Sequence, residues 1–165
     1  MPPSELGPAV ADIVAARIHH FRTQGDIAYT ELSRRLNEIG VPVQHVAIKD
    51  IEKGRRKVSA AELIGFAYAF DVSPIALLMP SGIDRADAVP GTGLAADTWL
   101  AWLRGDEPFG LAPGERGGRR KLEFLVRSSA SWELDQYVRD IEAGIERRER
   151  GEADGASATG PRTAG

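Results

Sequence analysis

The sequence predicts an all-α protein, with a compact bundle of five helices in residues 1–82 and a smaller, mainly helical region after it. Three observations predict this. Apolar residues recur at steps of three and four through most of the first 80 positions, the period of one helix face. Glycine and proline breaks separate those periodic stretches at short intervals. Ser59 followed three residues later by Glu62, just ahead of an apolar run, has the form of a reciprocal helix cap.

The first helix is expected over 8–24, where Val10, Ile13, Val14, Ile18 and Phe21 share a face and Pro8 suits a first turn. Gly25-Asp26 ends it. A second helix over 28–38 should bury Leu32 and Leu36, with Ile39 beside them. The turn Gly40-Val41-Pro42 follows, because a residue before proline is biased away from helix. A third helix over 44–53 packs with Val43, Ile48 and Ile51 and stops at Gly54. Ser59 starts a fourth, with Leu63, Phe66, Ala67 and Phe70 inward, and Ser73-Pro74 starts a short fifth that Pro80 ends. Residues 83–94 have the composition of a linker. The C-terminal region, 95–150, holds a short helix with Trp99 and Trp102, a Gly/Pro-rich stretch, a lead-in around 122–126 open to helix or strand, and a long helix from Ser131. Residues 151–165 are small and polar, and disorder is expected there.

Composition narrows the functional classes. At 165 residues and 42% hydrophobic content, the chain can bury a core. It has no cysteine, which removes disulfides and thiolate metal sites. No apolar run approaches the length of a membrane span, and the Met1-Pro2-Pro3-Ser4 start lacks a basic flank and an apolar signal core, so a cytoplasmic protein with no membrane partner is expected. The net charge of −3 argues against a nonspecific coat on nucleic acid. Charge is nevertheless uneven: residues 49–57 carry five cations and two anions. A compact basic corner of that kind can meet phosphate, since the attraction depends on local charge.

A short helix, a glycine stop, a cationic corner and a capped helix follow in sequence from Val43 to Leu63. The order Leu32-Ser33, Leu36, Ile48, Ile51-Glu52-Lys53-Gly54-Arg55-Arg56, Leu63, Ala67, Phe70-Asp71-Val72-Ser73-Pro74 resembles the lambda-repressor/Cro-like helix-turn-helix regulators. Within them it is similar to a long-loop subgroup of GC-rich bacteria and their phages. The resemblance covers about 70 residues. It departs from the family at three points: Tyr29 stands where glutamine is usual, Ala28 replaces the usual serine cap, and the turn over 37–41 is longer than the commonest form.

The resemblance implies double-stranded DNA as partner and a sequence-specific transcriptional regulator. A repressor acting by promoter occlusion is the simplest form, and a phage or prophage immunity repressor a specific one. It assigns base reading to Gln44, His45, Val46, Lys49 and Asp50 on the third helix. Lys49 suits guanine, Gln44 adenine, and Val46 a thymine methyl. For Asp50 a local ion pair with Lys49 or Arg55 is the plainer expectation. Phosphate contacts fall to Tyr29, Lys53, Arg55, Arg56 and Lys57, which position the protein without reading bases. For the basic run the bland alternative is a solvated turn.

Other constellations carry less. Gly91-Thr92-Gly93 mimics a dinucleotide loop but follows no buried strand. His19-His20 lacks partners at ligand spacing, so no metal or cofactor is expected. No paired carboxylates or nucleophile constellation stands out, and an enzyme is not expected. In the C-terminal region, Leu134, Val138, Ile141 and Ile145 form an apolar seam that suits a homodimer or an internal core. Arg116, Arg119, Arg120 and Lys121 form a second basic run, either a solvated loop or a second DNA contact. The competing functional class is an antitoxin-like module whose tail binds a partner protein.

Overall fold

The computed structural model describes residues 5–110 and 118–149, excepting the side chains of Tyr137, Ile141, Arg148 and Glu149. The expected disordered tail at 151–165 and Arg116 of the second basic run lie outside the described residues, as does the side chain of Ile141 in the seam. Every helix or strand element among the described residues is a helix, in the order α1 (Leu6–Gln24), α2 (Tyr29–Glu38), α3 (His45–Glu52), α4 (Ala60–Phe70), α5 (Pro74–Leu78), α6 (Ala96–Leu103), α7 (Arg119–Ser128) and α8 (Ser131–Glu149). The described residues are therefore all-α, with one isolated antiparallel bridge among them, between Ala88 and Ala95. No helix among the described residues is long and apolar enough to cross a membrane. The chain divides into two compact units, 1–113 and 114–165.

In the first unit α1 carries two apolar faces. Val14 and Ile18 enter a core with Leu32, Leu36, Val43, Ile48, Ile51, Phe66 and Leu77, so α1 to α5 share one interior. Ile13, on a neighbouring face, enters a second core with Val89, Ala96 and Trp99. The stretch 83–94, expected as a linker, is thus packed against α1: Val89 and Thr92 are buried, and the Thr92 hydroxyl donates to the Val89 carbonyl at 2.9 Å. Gly91 makes the approach possible. It has φ +70°, and a Cβ there would stand 2.3 Å from the Ala9 Cβ, closer than any side chain tolerates. The Trp99 indole N–H donates to the Leu78 carbonyl at 3.0 Å, and its ring stacks with those of Trp102 and Phe109.

Helix boundaries follow local chemistry. Ser59 and Glu62 form the reciprocal cap of α4, and the Ser73 hydroxyl accepts from the Ile75 N–H ahead of Pro74. Asp71 closes α4 in the left-handed conformation, which its short polar side chain tolerates better than most. Ile39 departs from expectation: it caps α2 and stays 38% exposed, because the chain turns away before its side chain reaches the core. The 122–126 lead-in is helical, within α7.

Candidate nucleic-acid interface

Helix α3 is held from three sides. Beneath it Ile48 and Ile51 are fully buried. Ahead of it the Ser33 hydroxyl donates to the Val43 carbonyl at 2.7 Å, pinning the turn from α2. Behind it the Glu52 side chain, only 4% exposed, receives Arg22 Nε at 2.6 Å and the Tyr29 hydroxyl at 2.8 Å, with His19 Nδ1 at 2.9 Å. A carboxylate so placed would be costly without partners. Burial alone would raise its pKa, but the hydrogen bonds from Arg22, His19 and Tyr29 outweigh burial and hold it below the usual glutamate range. The Arg22 guanidinium also lies 3.9 Å from the Tyr29 ring centroid. One network thereby joins α1, the start of α2 and the end of α3.

This revises the role of Tyr29. Its hydroxyl donates to Glu52 and accepts from Arg22 at 3.0 Å, so it is engaged inside the protein rather than presented to a phosphate. Burial first, and then Glu52, push the phenol pKa up and keep it a donor. Arg22, His19 and Glu52 were missed as a group by sequence reasoning. They are 30 and 33 positions apart in the chain, and only the packing of α1 on α3 brings them together.

The outer face of α3 is differently composed. Gln44, at the N-cap position, and His45, Val46 and Lys49 are exposed, Val46 at 54%. The Lys49 ammonium sits 5.2 Å from the Tyr29 ring centroid, so the same tyrosine that braces α3 also supports this cation. Asp50 takes the plainer of its two expected roles. Its carboxylate accepts from Arg55 Nε at 3.0 Å and also from the Arg55 Nη2, while its carbonyl accepts the N–H groups of Arg55 and Arg56 at 2.8 and 3.2 Å. Asp50 folds the corner that follows α3, which turns through Gly54 at φ +69°.

The basic corner separates into bound and open cations. Arg55 is paired with Asp50, and Arg56 with Glu62, the same carboxylate that completes the α4 cap. Burial would raise the Glu62 pKa, but Arg56 and Ser59 together hold it low. Lys53 and Lys57 are exposed and make no ion pair among the described residues. The charged surface of α2 is close to self-neutralised: Glu31 is bridged by Arg34 and Arg35, which draw its carboxyl down to about 2, and Arg34 also pairs with Glu38. The face from Gln44 to Lys57 therefore presents open lysines, one histidine, one amide and one apolar side chain.

Arg119, Arg120 and Lys121 form the first turn of α7, with Arg119 Nε donating to Glu123 at 2.7 Å. The seam residues Leu134, Val138 and Ile145 lie on α8, half-buried or exposed. No protein-family model, curated protein or solved structure matches the chain.

Proposed function

We propose that the protein is a sequence-specific double-stranded-DNA-binding regulator of the helix-turn-helix kind, with α1 to α5 as its binding domain, and that it represses by occupying a promoter. The observation that carries the reading is the two-sidedness of α3. Its inner side is buried and tied to α1 and α2 through Glu52, while its outer side offers Gln44, His45, Val46 and Lys49 on a rigid helix of a width the major groove admits. Lys49 suits guanine O6 and N7, Gln44 the adenine edge, and Val46 a thymine methyl. Lys53 and Lys57 supply the phosphate contacts, with Arg55 and Arg56 contributing only as far as phosphate competes with Asp50 and Glu62. Occlusion asks for nothing more than tight binding, and a phage or prophage immunity repressor is the specific setting to which the sequence resemblance points.

Selection of bound DNA from a random pool tests this directly, and an enriched motif is the expected result. On that motif Lys49→Ala should cost about 1–3 kcal/mol and relax preference at one base pair. Lys57→Ala should weaken all sequences alike and flatten the dependence of log affinity on log salt by about one unit. A pool that yields no motif, or two variants that lose affinity identically on cognate and random DNA, would overturn the reading.

A further inference from the structure

A cleft of about 210 Å³ lies between α1 and the start of α4 in the first unit. Its walls are apolar: Val10 and Val14 from α1, Val58 and Leu63 on either side of the Ser59 cap, and Leu78 from α5. Among the described residues Lys57 is the one charged residue that lines it. That cation is exposed and makes no ion pair among them. The two acids nearest it in the chain are committed elsewhere, Glu52 to Arg22 and Glu62 to Arg56. The Ser59 hydroxyl, also in the lining, accepts the Glu62 N–H and keeps its own proton to donate. Space and charge together define an occupant. Apolar walls favour an apolar body, and a few placed polar groups fix its orientation. An unpaired ammonium and a free hydroxyl proton call for one anionic end. A volume of about 210 Å³ exceeds the roughly 150 Å³ that accepts benzene, and falls below the ~300 Å³ at which drug-sized sites begin. A chain of about six carbons, or a single ring, carrying one carboxylate is the matching size.

We propose that this cleft binds a small apolar monocarboxylate, with its tail against Val10, Val14 and Leu63 and its carboxylate on Lys57 and Ser59. The site itself does not depend on what α3 binds. Its consequence rests on the DNA reading: Lys57 is one of the two lysines assigned there to phosphate, so an occupied cleft competes with DNA for that cation and weakens binding.

Hexanoate is the probe, with acetate as an anion lacking the tail and hexan-1-ol as a tail lacking the anion. Titrated into the full chain, hexanoate should shift the backbone amide resonances of residues 10–14 and 57–63 with a Kd of about 1 mM. Acetate and hexan-1-ol should bind at least about tenfold more weakly. Lys57→Met should lose about tenfold in hexanoate affinity, with circular dichroism unchanged because the side chain is exposed. Ala11→Leu fills the cleft from α1 and should abolish the shifts. No shift at 57–63 up to about 20 mM, hexan-1-ol binding as tightly as hexanoate, or an affinity indifferent to both substitutions would each overturn the site. On DNA, hexanoate should weaken wild-type binding more than equimolar acetate does. A filled cleft with DNA affinity unchanged would overturn the competition for Lys57. A protein that takes hexanoate but binds no DNA would sink the reading of α3 and leave the site standing.

Discussion

Glu52 shows how one side chain can serve a surface it never reaches. It sits on α3, but its carboxylate points back to Arg22, Tyr29 and His19, fixing the rotation of the helix whose other side carries Val46 and Lys49. With the Glu52 and Arg22 side chains only 4% and 11% exposed, removing one partner leaves the other charge poorly solvated. We expect Glu52→Gln to cost about 3 kcal/mol of stability, the usual scale for breaking a buried pair. The pH dependence has a definite sign. The folded carboxyl titrates below its unfolded value, so the ionised form stabilises the native state. That contribution is complete above the unfolded glutamate pKa of about 4.3 and is lost as pH falls through the lower folded value. Urea midpoints of the two proteins across acid pH should converge only below about pH 4. A constant gap down to the acid limit, or no gap at pH 7, would show that the network does not stabilise the fold.

At the scale of elements, what could be read from the chain depended on how local the cause was. Helices α2 to α5 were placed to within a residue or so because their signals are adjacent in sequence: the Ser59–Glu62 box, the Ser73-Pro74 start, the Gly54 stop. The exposed face of α3 was recoverable for the same reason, since Ile48 and Ile51 fix which side is inward. Contacts between distant segments were not recoverable. Tyr29 looks like a surface phenol until α1 brings Arg22 against it, and the Gly- and Pro-rich 83–94 stretch looks like a tether until Val89 meets Ile13. Asp50 and Arg55 fell between these cases, five residues apart and paired through a turn whose geometry sequence only suggests. The α4 cap offers an element-scale test. Ser59→Ala removes the acceptor for the Glu62 N–H and should cost about 1 kcal/mol. Glu62 keeps Arg56 as partner, so the loss should be confined to the cap and, if the protein binds DNA as proposed, leave the salt dependence of that binding unchanged. A changed slope would mean that the cap also sets where the basic corner points.

For the molecule as a whole, α1 is the pivot because two cores draw on it. The sequence divides the chain near residue 82, where the fifth helix ends and turn-forming residues begin. In the structure that cut would strip Val89, Ala96 and Trp99 from Ile13 and remove the indole that donates to the Leu78 carbonyl. A fragment 1–82 retains the whole first core, so it should still fold as a helical domain. It should nevertheless be less stable than 1–110 by at least about 2 kcal/mol, since a large apolar side chain contributes about 1.5–3 kcal/mol when buried and part of that offsets the ordering of 83–110. The longer fragment contains Trp99 and Trp102 but not Trp132, so its fluorescence reports the second core alone, while circular dichroism reports mainly the helices of the first. If the cores are one cooperative unit through α1, the two signals should share a single urea midpoint, higher than that of 1–82. Separate midpoints, with fluorescence lost first and dichroism matching the short fragment, would instead make the second core an appendage that adds nothing to the stability of the first core.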